Sequence, residues 1–249
     1  MDAMIKRLQS YGDIAHDDVK WFLTVPHRVV DVDPRCDIVR TGEPARDMFI
    51  VETGWALRYR LLDDGRRQIV NFMLPGDCFD LQAIVHAKAD HSVTSVTPMR
   101  LRSTSSQRFL DALRGNGRMA AAFWWAAVQE ESILREQIVR IGRRTARERI
   151  AHLMLELHRR LTIAGATRDE SMVLPVTRDI IADALGLTPI HVSRTLTGLR
   201  AEGLLDAQGR QMHLLDRAGL AEVASFNPAY LHAAGADGLR PPKPHPDVA

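Results

Sequence analysis

Ile190, Ser193, Arg194 and Thr197 recur at i, i+3, i+4 and i+7, the spacing that aligns side chains on one face of an α-helix. An arginine beside two hydroxyls and a β-branched apolar group suits a particular task. A guanidinium can grip the O6/N7 edge of guanine with two hydrogen bonds, and an apolar side chain can meet the methyl of thymine, both in the major groove of DNA. Val192, Leu196 and Leu199 form a second stripe at i, i+4 and i+7, which would pack inward. A plain solvated face has the same periodicity, so the decision rests on the surrounding elements.

Those elements are well punctuated. Thr177 is a good N-cap for a short helix over 178–185. Gly186 ends it, as a residue able to turn left-handed. Thr188-Pro189 then caps a second helix over 189–200, which stops before Gly203. Two short helices about a glycine turn form a helix-turn-helix. Residues 204–215 fit a two-stranded wing turning at Gln208-Gly209. Thr177, Arg178 and Thr188 lie near helix N-termini, where free backbone amides favour phosphate. Pro189 and His191, in the first turn of the second helix, complete the candidate DNA-binding set.

Upstream, glycines fall at Gly42, Gly54, Gly65 and Gly76, with β-forming runs at 48–51, 56–62 and 68–74 between them. Weaker strand candidates lie at 91–96 and 99–103. Short strands with turns every 8–12 residues indicate a sandwich or barrel, here over about 27–104. Asp63-Asp64-Gly65 is a hairpin turn and Pro75-Gly76-Asp77 another. Short helices are expected over 1–25 and 107–113.

A long helix follows over about 118–141. Its residues Ala120, Trp124, Ala127, Glu131, Leu134, Ile138 and Ile141 are spaced 4, 3, 4, 3, 4, 3, a heptad seam with one polar member. The seam predicts pairing of two copies, while Phe123 and Val128, off the seam, would face the β unit. Gly142, Arg143 and Arg144 mark a joint. The next helix, over 145–162, places Ile150, Leu153, Met154, Leu157 and Leu161 on one face, and 163–171 is a polar loop.

The expected fold is α+β: an N-terminal β-roll, double-stranded and jelly-roll-like, a long dimerisation helix, and a C-terminal winged helix-turn-helix. The expected divisions are 1–104, 105–142, 143–226 and a disordered Pro-rich tail over 227–249.

The chain has 249 residues, 45% hydrophobic and 26% charged, with net charge +2. It is no general polycation, so basic groups must act locally. Residues 142–226 carry 12 Arg and no Lys against 10 acids, and 1–141 carry 19 of each sign. The arginine matters more than the excess, as the better ligand for phosphate and bases. Cys36 and Cys78 cannot build a disulfide framework. They read as structural thiols, with redox sensing as the sharper alternative. The longest apolar run, 120–128, is too short to cross a membrane, and residues 1–10 do not resemble a signal peptide. A cytoplasmic protein without membrane contact is expected. No metal or cofactor set appears. His152 and His158 are six apart, poor ligand spacing, and His86 or His91 as haem ligands is a minor reading. The dinucleotide-like string Gly115-Asn116-Gly117-Arg118-Met119-Ala120 follows a helix rather than the required strand. With no catalytic constellation, an enzyme is not expected.

The strings Gly42-Glu43-Pro44, Met48-Phe49-Ile50-Val51-Glu52-Thr53-Gly54, Leu74-Pro75-Gly76-Asp77 and Thr188-Pro189-Ile190-His191-Val192-Ser193-Arg194-Thr195-Leu196 resemble the Crp/Fnr family of bacterial transcription regulators over roughly 20–225. The resemblance implies a homodimer on palindromic double-stranded DNA, with a cyclic-nucleotide-binding-like sensor, and contact with RNA polymerase if it activates. It implies that Arg194 meets a guanine and Ser193 a base. Three departures stand out. Cys78-Phe79-Asp80-Leu81 follows the Gly76-Asp77 turn where a nucleotide-binding member carries a glutamate, and His91-Ser92 stands where the phosphate-holding Arg-Ser/Thr pair belongs. Without that arginine a buried cyclic phosphate loses its bidentate partner, so cyclic-nucleotide control is not expected. Asp80, Leu81, His91 and Ser92 remain the candidate effector pocket. No cysteine precedes Cys36, against an Fnr-type iron–sulfur switch. Ile190 stands where the family often has glutamate. A reading from another class is a small-molecule or redox sensor whose winged helix serves protein contact; steep loss of duplex affinity with salt separates the two.

Overall fold

The computed structural model describes residues 2–12, 14–85 and 88–233. Helices α1 (Asp2–Gln9) and α2 (His16–Thr24) precede strands β1 (Arg28–Val32), β2 (Asp37–Val39), β3 (Asp47–Thr53), β4 (Ala56–Leu61), β5 (Arg67–Met73) and β6 (Cys78–Phe79). A 3-10 turn (Leu81–Val85), β7 (Ser92–Ser95) and β8 (Met99–Ser105) complete the unit. The strands pair antiparallel in two sheets of order β1-β8-β3-β6 and β2-β7-β4-β5. Val51, Ala56, Met73, Val93 and Leu101 fill the space between them, as inward-facing residues of a sandwich do. At the β5–β6 turn Gly76 has φ +90, and a Cβ there would stand 2.7 Å from the Ala3 carbonyl oxygen. Glycine is required both by the dihedral and by the close approach of α1.

Helix α3 (Ser106–Arg114) leads into α4 (Gly117–Arg143), whose N-cap Asn116 accepts from the Met119 amide at 3.1 Å. One face of α4 buries Met119, Ala122, Phe123 and Ala126 against α1, α2 and α3; Phe123 faces inward as expected, and Val128 is only half-buried. The joint falls at Arg144, whose ψ of 148 leaves the helix. Thr145 then opens α5 (Ala146–Ile163) with a capping box to Glu148. Next come β9 (Ser171–Val173), α6 (Arg178–Leu185), α7 (Pro189–Ala201), β10 (Asp206–Gln208), β11 (Gln211–His213), α8 (Arg217–Ala224) and a 3-10 turn (Pro228–Leu231).

Two differences from the expected layout matter here. The wing is a three-stranded sheet of order β10-β11-β9, because Ser171, the last residue of the expected loop, and the Met172 and Val173 that follow it pair with β11. The start of the expected disordered tail is folded: Asn227 caps the final 3-10 turn, Leu231 is fully buried, and the Trp125 indole donates to the His232 carbonyl at 3.2 Å. The rest of that tail, 234–249, lies outside the described residues.

The largest apolar cluster ignores the boundary between the sandwich and the C-terminal helices. Leu57, Ile69 and Phe72 of the second sheet join Leu153, Met154 and Leu157 of α5 and Ile181 and Leu185 of α6. Arg67 donates to Asp183 at 2.7 and 2.9 Å, and Gln68 and Gln137 donate to the Ala184 carbonyl.

A buried polar chain runs beside this cluster. Arg140 pairs with Glu156, donates to Gln137 at 2.6 Å and approaches His152 Nδ1 at 3.0 Å; the Tyr230 hydroxyl donates to Glu156 at 2.8 Å. Arg160 donates to Asp77 at 2.6 Å and to the Phe72 carbonyl at 2.8 Å, and Arg7 meets Asp77 at 3.1 Å. Burial pushes the His152 imidazole down to about 2, and the Arg140 and Arg144 guanidiniums add to the shift. In the fold it is therefore neutral, whereas an unfolded imidazole takes a proton near 6.5. Its stabilising contribution is complete above that value and is lost as the pH falls below it towards 2. The urea midpoint is expected to fall between about pH 7 and about pH 5, and to fall less in His152→Gln. Equal slopes in both proteins would assign the effect to other groups.

Candidate nucleic-acid interface and sensor cavity

The helix-turn-helix is built from local signals. The Thr177 hydroxyl accepts from the Ile180 amide and that of Thr188 from the His191 amide, while Gly186 takes φ 64, ψ 41. Arg149 donates to the Leu185 carbonyl at 2.8 Å and closes the end of α6. Pro189 occupies the first turn of α7, with φ already set for helix. Val192, Leu196 and Leu199 are buried under the helix. On the other side Ile190, His191, Ser193, Arg194 and Thr197 are all exposed, as are Thr177, Arg178, Thr188 and Pro189.

Arg194 and Arg178 make no side-chain hydrogen bond or ion pair among the described residues, so both guanidiniums are free for a ligand. Thr197 is different: its hydroxyl donates to the Ser193 carbonyl at 3.0 Å, leaving it an acceptor only towards a base. Arg200, one turn on, is held by Asp206 at 2.8 Å and fixes the start of the wing. Sequence reasoning missed Arg210, exposed in the β10–β11 turn; its position beside the turn residue Gly209 was the available signal.

On α4 the heptad residues are left uncovered within one chain, with Ala127, Glu131 and Leu134 at the border of a cavity against the second sheet. Trp124 is 76% and Ile138 68% exposed. Ala120, Ala127, Leu134 and Ile141 are half-buried, and the exposed Glu131 pairs with Arg135. Within one chain this leaves an uncovered apolar stripe.

Between the second sheet and α4 lies a cavity of about 490 Å³, lined by Arg58, Asp80, Leu81, His91, Glu130 and Leu134 among others. Asp80, Leu81 and His91 of the candidate effector pocket meet here. Ser92 does not: it stands on β7 and bonds the Thr41 amide and hydroxyl at 3.1 Å. His86 lies outside the described residues. Arg58 is paired with Glu130, and His91 sits 2.7 Å from Asp90 and 3.4 Å from Asp80. The hydrogen bond from His91 holds the Asp90 carboxyl below its ordinary value. With Glu131, four carboxylates face Arg58, Arg60 and His91, an unfavourable balance for a phosphate. Cys78 is buried, which pushes its thiol up to about 12, and Cys36 is exposed rather than structural.

The described residues contain no helix long and apolar enough to cross a membrane. Comparison with known proteins agrees with the architecture. Residues 29–116 match a cyclic nucleotide-binding domain and residues 148–223 a Crp-like helix-turn-helix domain. The nitrogen fixation regulation protein FixK of Azorhizobium caulinodans is 32% identical over 76% of this chain and 76% of its own length. The transcriptional activatory protein AadR of Rhodopseudomonas palustris is 33% identical over 69% of this chain and 71% of its own. The structure of FixK2 from Bradyrhizobium japonicum superposes with a TM-score of 0.72 at 31% identity, covering 80% of this chain and 97% of that one. With its sandwich, long helix and helix-turn-helix, the chain belongs to the Crp/Fnr family of DNA-binding transcription regulators.

Proposed function

We propose that the protein acts as a homodimer on a palindromic operator, with α7 of each copy reading a half-site through Arg194, Ser193 and Ile190. The observation that carries this is the exposed face of α7, with an unpaired arginine on a helix fixed at its start and beneath. Thr177, Arg178, Thr188, Pro189, His191 and Thr197 frame that face towards phosphate and base edges. Half-sites one helical turn apart match two heads on a common spine. Selection of bound sequences from random duplexes tests the reading: a two-fold symmetric site supports it, and no enriched sequence sinks it.

The spine is the seam of α4, with Trp124, Ala127, Glu131, Leu134, Ile138 and Ile141 facing the second copy. Trp124→Glu/Ile138→Glu is expected to turn a two-chain species into one chain in sedimentation, without loss of fold, since both side chains are exposed in the single chain. An unchanged mass would remove the seam from the interface.

The sensor cavity has given up cyclic nucleotides and takes an effector of other chemistry; the Arg58–Glu130 pair and the surrounding carboxylates support this. The cavity borders Ala127, Glu131 and Leu134 of the seam, so an occupant would bias helix pairing and the separation of the two heads. AadR and the FnrL of Cereibacter sphaeroides are named as activators. By extension this protein activates transcription in the cytoplasm, in contact with RNA polymerase.

A further inference from the structure

A second cleft, of about 740 Å³, opens between the second sheet and the reading head. Leu57, Val96 and Ile180 give it apolar walls, and three guanidiniums border it: Arg35 from the β1–β2 turn, Arg67 from β5 and Arg210 from the wing. Arg67 is held by Asp183 and lies 5.7 Å from the centre of the Tyr59 ring. Arg35 and Arg210 have no side-chain partner among the described residues. No aspartate or glutamate is among the described residues that line the cleft. Arg35 adopts φ +64, uncommon for a residue with a side chain, and its amide is tied to the Ser95 carbonyl at 2.9 Å. Thr177, at the start of α6, borders the same space and keeps a hydroxyl proton to donate, because its oxygen accepts from Ile180.

Like charges gathered from two lobes repel. An anion in the cleft would reverse its sign. Arginine forks match phosphate oxygens bidentately, and the volume suits a ligand with an organic body. We propose that this cleft binds a phosphorylated organic anion of nucleotide size, gripped by Arg35 from the sensor and Arg210 from the wing. Its phosphates meet the guanidiniums, and its apolar part lies on Leu57, Val96 and Ile180. Such a ligand spans both lobes and so favours the closed arrangement in which both arginines reach it. The carboxylate-rich cavity on α4 has the opposite electrostatic character and does not compete for it.

The calorimetric arm of the test uses the full chain without DNA, so its outcome is independent of the operator reading. Inorganic pyrophosphate and metal-free adenosine triphosphate are titrated calorimetrically. Each is expected to bind at one site per chain, with affinity at least about tenfold lower in Arg35→Ala/Arg210→Ala. Both replaced side chains are exposed and unpaired, so the variant should fold; Arg108→Ala, an exposed arginine elsewhere, should bind as the unaltered protein does. Absence of binding by both probes at about millimolar concentration, or equal binding by the double variant, overturns the proposal. The DNA backbone offers the same phosphate chemistry. Arg35→Ala should keep its affinity for a duplex covering only the two half-sites; loss of that affinity would make Arg35 a DNA ligand and overturn the assignment.

Discussion

Arg194→Ala is expected to weaken binding to the preferred operator by about 1–3 kcal/mol, roughly 5- to 150-fold, with the loss concentrated at one base position. In the free protein Arg194 is exposed and unpaired, so its removal disturbs no internal contact. The helix that carries it is fixed by the Thr188 cap and by buried Val192, Leu196 and Leu199, so the rest of the reading face should keep its place. The loss should therefore report the missing contact with the base. Gel shifts on a series of half-sites, each altered at one pair, make the check. The variant should become indifferent to a single pair and keep its preferences elsewhere. A uniform drop at every position would instead make Arg194 a backbone ligand and leave base reading to Ser193 and Ile190.

Glu156→Ala is expected to cost about 3–5 kcal/mol of folding stability. Both Arg140 and Glu156 have side chains only 2% exposed, so deleting the carboxylate leaves a buried guanidinium with the neutral His152 and Gln137. Tyr230 loses its acceptor in the same step; Arg160 keeps Asp77. A domain typically has about 5–15 kcal/mol in hand, so the variant should show a much lower urea midpoint. Arg140→Met/Glu156→Met removes both charges and should lose less, because no charge is stranded. A loss below about 1 kcal/mol in the single variant would mean that water reaches Arg140.

The parts of the molecule legible in sequence are those fixed by short-range rules. Thr177, Gly186 and Thr188-Pro189 fix α6, the turn and α7 through contacts spanning three or four residues. The heptad spacing places α4, and Gly54, Gly65 and Gly76 mark the sandwich turns through positive φ. Strands β2, β6 and β9, of three, two and three residues, are too short to display an alternation and exist because a partner strand is present. Buried Arg140, Glu156 and Arg160 look in sequence like the polar side of two surface helices; only tertiary packing makes them interior. The 3-10 turn Pro228–Leu231 was hidden by the proline-rich residues after it. His91 and Ser92 stand together in the resemblance, where a phosphate-holding pair belongs; only His91 lines the cavity, and Ser92 is bonded to Thr41 instead.

The common core of Ile69, Leu57, Ile181 and Leu185 has an energetic consequence for signalling. A reading head joined to its sensor by a bare linker would tilt with thermal motion, and a weak effector would suffice to aim it. Here tilting means parting oily surfaces and wetting them, so the orientation is latched. A ligand that reorients the head must therefore prefer the unlatched form by at least the cost of that wetting.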